Sequence, residues 1–223
     1  MEAYIDSLLK HLNQYAGKGV IELFKQFKIN STAKNKNNIL AWKLIETFEG
    51  RKTAQANIEH ENINIKTIQL KENGSPQEAM SFSPIIYEKI INEDWDNSDF
   101  KKYLSHTFIF FVFKFENDKN YLIKIIKWNI PNDELNGEVK LVWKDTKKKI
   151  SDGTVLKEIR DGKYITWFLS EEITNICHIR PHGRNGIDCL KLPIRDKLNG
   201  DVSAPKQSFW FNHSYLKKIV DKK

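Results

Sequence analysis

A chain of 223 residues, 40% hydrophobic and 12% aromatic, can bury roughly 70–75% of its unfolded surface, which excludes a disordered, collagen-like or linker-rich protein. Its 36 Lys and Arg outnumber 29 Asp and Glu, giving a net charge of +7 and an isoelectric point near 9.2, a balance that suits a polyanionic partner and equally describes a solvated basic surface. Cys177 and Cys189 are too few for a disulfide scaffold, and the most apolar run, 108–115, contains Lys114 and is far shorter than the roughly 20 residues that span a bilayer.

Ile5, Leu8, Leu9 and Leu12 fall on one face at helical spacing, with Gly17 as a stop signal. Residues 1–16 therefore read as an amphipathic helix rather than a signal peptide, and a reducing cytoplasm is the expected location. Val20, Leu23, Phe24 and Phe27 repeat the spacing, as do Ala41, Leu44, Ile45 and Phe48 beyond the polar run 30–38. After Arg51 the period changes to two, because Ile63 and Ile65 alternate with Asn62, Asn64 and Lys66 as in a strand. Residues 108–116 and 121–130 read as a hairpin whose first strand is apolar on both faces and so central. The stretch 138–150 fits a strand through Val139, Leu141 and Trp143, and a helix through Val139, Val142, Trp143, Thr146 and Ile150; the helix is favoured. Further strands are expected at 164–169, 173–180 and 209–211, and a terminal helix at 214–220. With no repeat or clear linker, residues 1–223 read as a single compact α/β domain, with a helical lobe and a sheet-rich lobe meeting near Thr53.

The segment Asn62-Ile63-Asn64-Ile65-Lys66-Thr67-Ile68, followed by Gly74-Ser75-Pro76-Gln77-Glu78, resembles the catalytic strand of the MutH mismatch-repair endonuclease family. There the strand reads Gly-Val-Glu-Leu-Lys-Thr-Ile, and a Gly-x-Pro-x-Glu stretch follows at the same interval. Lys18-Gly19 at the second helix, Ile179-Arg180-Pro181, and Phe209-Trp210 ahead of Tyr215-Leu216-Lys217-Lys218 fall in the family's order. The family also includes a staphylococcal type II restriction enzyme that cuts GATC and whose chain resembles two MutH-like halves. The resemblance implies a MutH-like, restriction-endonuclease-like α/β fold: a mixed central sheet flanked by helices, with a DNA-binding cleft.

Such nucleases place an Asp, a Glu and a Lys around a divalent cation. Glu and Lys two residues apart on a strand project from one face, so carboxylate and ammonium converge on one phosphate while Mg²⁺ takes the hard carboxylate oxygens. Here Lys66 is kept, but the Glu position is Asn64 and the Asp position is Asn57. The family's helical Glu falls near Gln26, with Glu22 close, and Glu61 is expected on the opposite strand face with Ile63 and Ile65. The site at Asn57, Asn64 and Lys66 reads as degenerate: no catalytic residue and no cofactor are assigned to this chain, Mg²⁺ being needed by the parent endonuclease. This is similar to the second, non-cutting half of the staphylococcal enzyme. It implies an allosteric effector domain that binds double-stranded GATC DNA beside a catalytic MutH-like N-terminal half. Two alternatives stay open: a self-sufficient Mg²⁺-dependent GATC endonuclease using Glu46, Glu49, Glu59 or Glu61, and a basic module for nonspecific nucleic-acid or protein binding.

The resemblance puts the reading elements at Ile179-Arg180-Pro181-His182 and Phe209-Trp210. An Arg at a strand end can bond guanine O6 and N7 bidentately, which makes Arg180 the first candidate and Arg184, in the Gly-flanked loop 183–186, the second. His182 stands where MutH has Lys, and Trp210 where it has a Tyr near the adenine. Lys206, Lys217 and Lys218, with Lys222 and Lys223, are expected on phosphates. Cys177, His178, His182 and Cys189 invite a zinc reading. Adjacent Cys177 and His178 would point to opposite faces of a strand and no Cys-x-x-Cys is present, so two small buried thiols are preferred.

Overall fold

The structure, a computed structural model, describes residues 2–161, 163–183 and 188–222. Four helices come first: α1 Glu2–Asn13, α2 Val20–Gln26, α3 Lys36–Glu49 and α4 Arg51–His60. The first three follow the apolar spacing in the sequence. Helix α4 buries only Ala54 and Ile58, one turn apart, and so leaves almost no periodic signal. Gly50, at φ +81°, makes the sharp break between α3 and α4 that a side chain would strain.

Strand β1 Ile63–Leu70 begins one residue later than its pattern suggests. Glu61 is the C-cap of α4 and Asn62 takes a left-handed φ of +51°, a conformation Asn tolerates, so neither lies on a strand face. There follow β2 Met80–Pro84, α5 Tyr87–Ile90, α6 Asp99–Leu104, β3 Thr107–Glu116 and β4 Lys119–Trp128. The expected β3–β4 hairpin closes on Asn117 and Asp118, at φ 48° and 59°, the two-residue turn whose twist matches the strands. After α7 Asn132–Glu134 and a π-helical turn Leu135–Val139, helix α8 Lys140–Ser151 bears out the helical reading: Val142, Trp143, Thr146 and Ile150 are buried, whereas Leu141 is 65% exposed. The order ends with β5 Leu156–Arg160, β6 Lys163–Thr166, β7 Cys177–Pro181, β8 Cys189–Lys191, β9 Ser203–Pro205, β10 Gln207–Phe211 and α9 His213–Asp221. Strand β7 is shorter than 173–180, because residues before Cys177 form a turn.

Two compact units divide the chain: Met1–Glu78, Ser105–Asn129 and Lys217–Lys223 form one, Ala79–Leu104 and Ile130–Leu216 the other. The division does not fall near Thr53, because the opening helices pack on a sheet instead of forming a lobe of their own. In the first unit the strand order is β1-β3-β4, with β1 parallel and β4 antiparallel to β3, which is central as expected. Ile63, Ile109, Phe111, Phe113, Leu122 and Ile125 join a core with Leu8, Leu12, Leu23, Leu40, Leu44 and Ile58 from the four helices. The other face of this sheet pairs Asn64 with Phe108 and Lys66 with Phe110.

In the second unit β10 lies between β2 and β7, antiparallel to both, beside the ribbons β5-β6 and β8-β9. One face of β10 is aromatic core: Phe209 stacks on Phe100 at 3.9 Å and Phe211 meets Phe82 edge-on at 4.8 Å. Buried Asp196 ties a loop to the start of β5, its Oδ2 accepting from the backbone N–H of Val155 and Leu156 and its Oδ1 from that of Leu198, each at 2.9 Å. Among the described residues no helix is long and apolar enough to cross a membrane.

Candidate nucleic-acid interface

Side chains alternate across β7 and β10 with period two, which sends Cys177 and Ile179, with Phe209 and Phe211, inward and leaves Arg180, Ser208 and Trp210 on the other face. The register sets Arg180 opposite Ser208 and His178 opposite Trp210. Two polar anchors fix the start of β7. Glu138 accepts the backbone N–H groups of Asn175 and Ile176 at 2.7 and 2.6 Å, which explains why the segment before Cys177 turns instead of extending. Asn212 donates to the Thr174 carbonyl at 2.7 Å, so its own oxygen accepts from His178 Nδ1–H, also at 2.7 Å. Burial of His178 outweighs this bond and lowers the imidazole pKa.

At the far end of β7 the face is open. Exposed Arg180 places its guanidinium 4.9 Å from the centre of the Trp210 ring, and the Trp210 indole N–H donates to the Arg180 carbonyl at 3.3 Å. The His182 ring lies 5.2 Å from that of Trp210, with Nδ1 hydrogen-bonded to the Ser208 hydroxyl at 2.8 Å. Pro181, exposed beside them, pairs with Gln207. Arg180 and Pro181 on β7, His182 just beyond its end and Trp210 on β10 are thus gathered at one edge of the sheet. Lys206 adjoins through its carbonyl, which accepts the His182 N–H at 2.9 Å, and its ammonium pairs with Asp188 at 2.6 Å. Lys217 and Lys218 lie on α9, where Lys217 pairs with Asp221. Arg184 and Lys223 fall outside the described residues.

The nuclease-like strand carries a different chemistry. Asn64 is 8% exposed, and Lys66 is half-buried beside the fully buried Phe110, so desolvation lowers its ammonium pKa. Asn57, on α4, donates its amide to Glu49 Oε2 at 2.8 Å, while the Tyr4 hydroxyl donates to Glu49 Oε1. Burial and the Glu49 carboxylate together push the Tyr4 pKa up. Glu46 is engaged by Lys43 and Arg51 at 3.7 and 3.6 Å. These residues do not fit Mg²⁺, which takes anionic oxygens: two of the three positions are amides, and the carboxylate Asn57 touches is already an acceptor for two donors. Neither Glu22 nor Gln26 is buried; both sit on the exposed side of α2. Among the described residues no group of three or more His, Cys, Asp and Glu is placed to hold a metal, and the zinc set is dispersed into other bonds: Cys177 is fully buried, with its thiol pKa raised by desolvation, His178 binds Asn212 and His182 binds Ser208.

Residues 47–137, which take in β1 with its Lys66 two residues after Asn64, match the family model described as DNA mismatch repair enzyme MutH. The chain is also similar to the type II restriction enzyme Sau3AI of Staphylococcus aureus, 30% identical over 251 aligned residues that take in 97% of this chain. It spans about half, 51%, of that enzyme's length. The family match ends before β7, whereas the likeness to the restriction enzyme extends over nearly the whole chain.

Proposed function

We propose that this chain binds double-stranded DNA at GATC through the outer face of β7 and β10 and does not itself cut. The observation that carries this reading is a divergence within a MutH-like domain: β1 keeps Lys66 but has an amide at Asn64, and Asn57 is a hydrogen-bond donor to Glu49. Hydrolysis is then the work of another half. A chain about half the length of its restriction-enzyme relative suits residues 1–223 as one MutH-like half, the C-terminal effector of a cytoplasmic enzyme whose N-terminal half holds Mg²⁺ and cleaves.

Recognition divides into base and phosphate contacts. Arg180, exposed at the end of β7, reads guanine O6 and N7 with its planar fork, assisted by His182 and by Arg184, which lies outside the described residues. Pro181 and Trp210 shape that edge. Lys206, Lys217 and Lys218 meet phosphates; the surface pairs of Lys206 with Asp188 and of Lys217 with Asp221 are weak enough for a phosphate to displace. A net charge of +7 favours the encounter.

The test is a competition titration of the chain between GATC and scrambled duplexes, together with incubation of GATC plasmid in Mg²⁺. Preference for GATC without cleavage is expected. Cleavage abolished by Lys66→Ala would establish a self-sufficient endonuclease instead, and equal affinity for both duplexes a nonspecific module.

A further inference from the structure

The guanidinium of Arg180 does not stand alone on its strand. Trp210 is paired across the ladder with His178, yet its ring reaches diagonally to the Arg180 side chain, with 4.9 Å between the guanidinium carbon and the ring centre. The same indole donates its N–H to the Arg180 carbonyl at 3.3 Å, so backbone and side chain of one arginine are both held by one tryptophan. Ser208, directly opposite Arg180, binds His182, whose ring lies 5.2 Å from that of Trp210. Among the described residues, Trp210, Ser208 and His182 are thus linked to one another around Arg180.

An exposed arginine has many rotamers, and a bidentate contact to a base edge requires one plane and one direction. A guanidinium resting on an aromatic face keeps its outer N–H groups available while losing most of that freedom before a ligand arrives. Conversely, an indole whose N–H is used by a carbonyl and whose ring carries a guanidinium has no donor left for a base edge. We infer that Trp210 is a positioning residue for guanine recognition: it holds Arg180 in the reading geometry in the free protein and makes no base contact of its own. The inference rests on the reading of Arg180 as the guanine contact, and replaces a direct role for Trp210 beside the adenine.

Two measurements on the intact chain test it. In free protein, ¹⁵N relaxation at Arg180 Nε–H should report an ordered side chain in the wild type, an intermediate one in Trp210→Phe, which keeps a ring and loses the N–H, and an averaged one in Trp210→Ala. In competition between GATC and scrambled duplexes, Trp210→Ala should lose about tenfold or more of the preference, as Arg180→Ala does, since a bidentate base contact is worth about a tenfold factor or greater. The double variant should be no worse than either single one, the salt slope should not move, and Trp210→Phe should recover most of the preference; that recovery separates positioning from a general loss of folding. An Arg180 side chain as ordered in Trp210→Ala as in the wild type would overturn the inference, as would a double variant whose loss is the product of the two single losses. Unchanged preference in Arg180→Ala would instead remove the guanine reading, while relaxation in the free protein would still decide whether Trp210 holds Arg180.

Discussion

Arg180 and Lys217 make different kinds of contact under the proposed function, and single substitutions separate them. Arg180→Ala should weaken GATC binding by roughly 1–3 kcal/mol and leave scrambled duplex little changed. Lys217→Ala should weaken both duplexes alike and reduce the slope of log affinity against log salt by about one. Titrations at several salt concentrations, with thermal melts of each variant, give both quantities; wild-type preference in Arg180→Ala removes it from the reading surface. At the nuclease-like strand, Asn64→Glu alone should not produce cleavage of GATC plasmid in Mg²⁺, because Asn57 still offers no carboxylate and Glu49 remains the acceptor for Asn57 and Tyr4. Robust cutting by that variant would show that a second carboxylate is within reach. The amides at Asn57 and Asn64 were legible in the sequence, since residue identity and spacing are covalent facts. The bond from Asn57 to Glu49 was not, because it depends on how α3 and α4 pack across Gly50.

Elements with a strong apolar period were visible in advance, and those held by polar anchors were not. Helices α1 to α3, the β3–β4 hairpin and α8 follow from the spacing of buried side chains. Helix α4 and the short strands β2, β5, β8 and β9 carry too few apolar positions to set a period. The start of β5 depends instead on Asp196, 1% exposed, whose carboxylate accepts three backbone N–H groups. Asp196→Ala leaves the buried Val155 and Leu156 donors without their acceptor and should destabilise the protein by roughly 2 kcal/mol or more, at about 1–3 kcal/mol for each buried donor left unsatisfied. Urea unfolding measures this, and a loss below 1 kcal/mol, on the order of one ordinary hydrogen bond, would mean that water replaces the carboxylate. The Glu138 anchor explains the other difference in β7: with Asn175 and Ile176 bound to one carboxylate, the chain cannot be extended there.

For the whole molecule, charge and protonation set the response to conditions. Burial lowers the pKa of His178, and of His11 and His106. Around His178, the Asn212 bond and Glu171 act the other way, while Arg180 and His213 reinforce the lowering. A histidine whose folded pKa lies below its unfolded value of about 6.5 contributes fully above that pH, and the contribution is lost as pH falls from there through the folded pKa. The melting temperature should therefore drop between pH 7 and 5.5, and His178→Gln should flatten the slope; an equal slope in that variant would assign the acid sensitivity elsewhere. What the sequence determined alone was local: which segments alternate every two residues or every 3.6, that Lys66 lacks a carboxylate two residues before it, and that the chain is basic enough for a polyanion. Tertiary structure decided which segments become partners. It set β1 parallel to β3, spread the opening helices over that sheet instead of dividing the chain near Thr53, and brought Trp210 to Arg180 across thirty residues of chain. Periodicity records only whether a side chain faces the core, whereas pairing depends on contacts between distant residues that leave no pattern in either segment by itself.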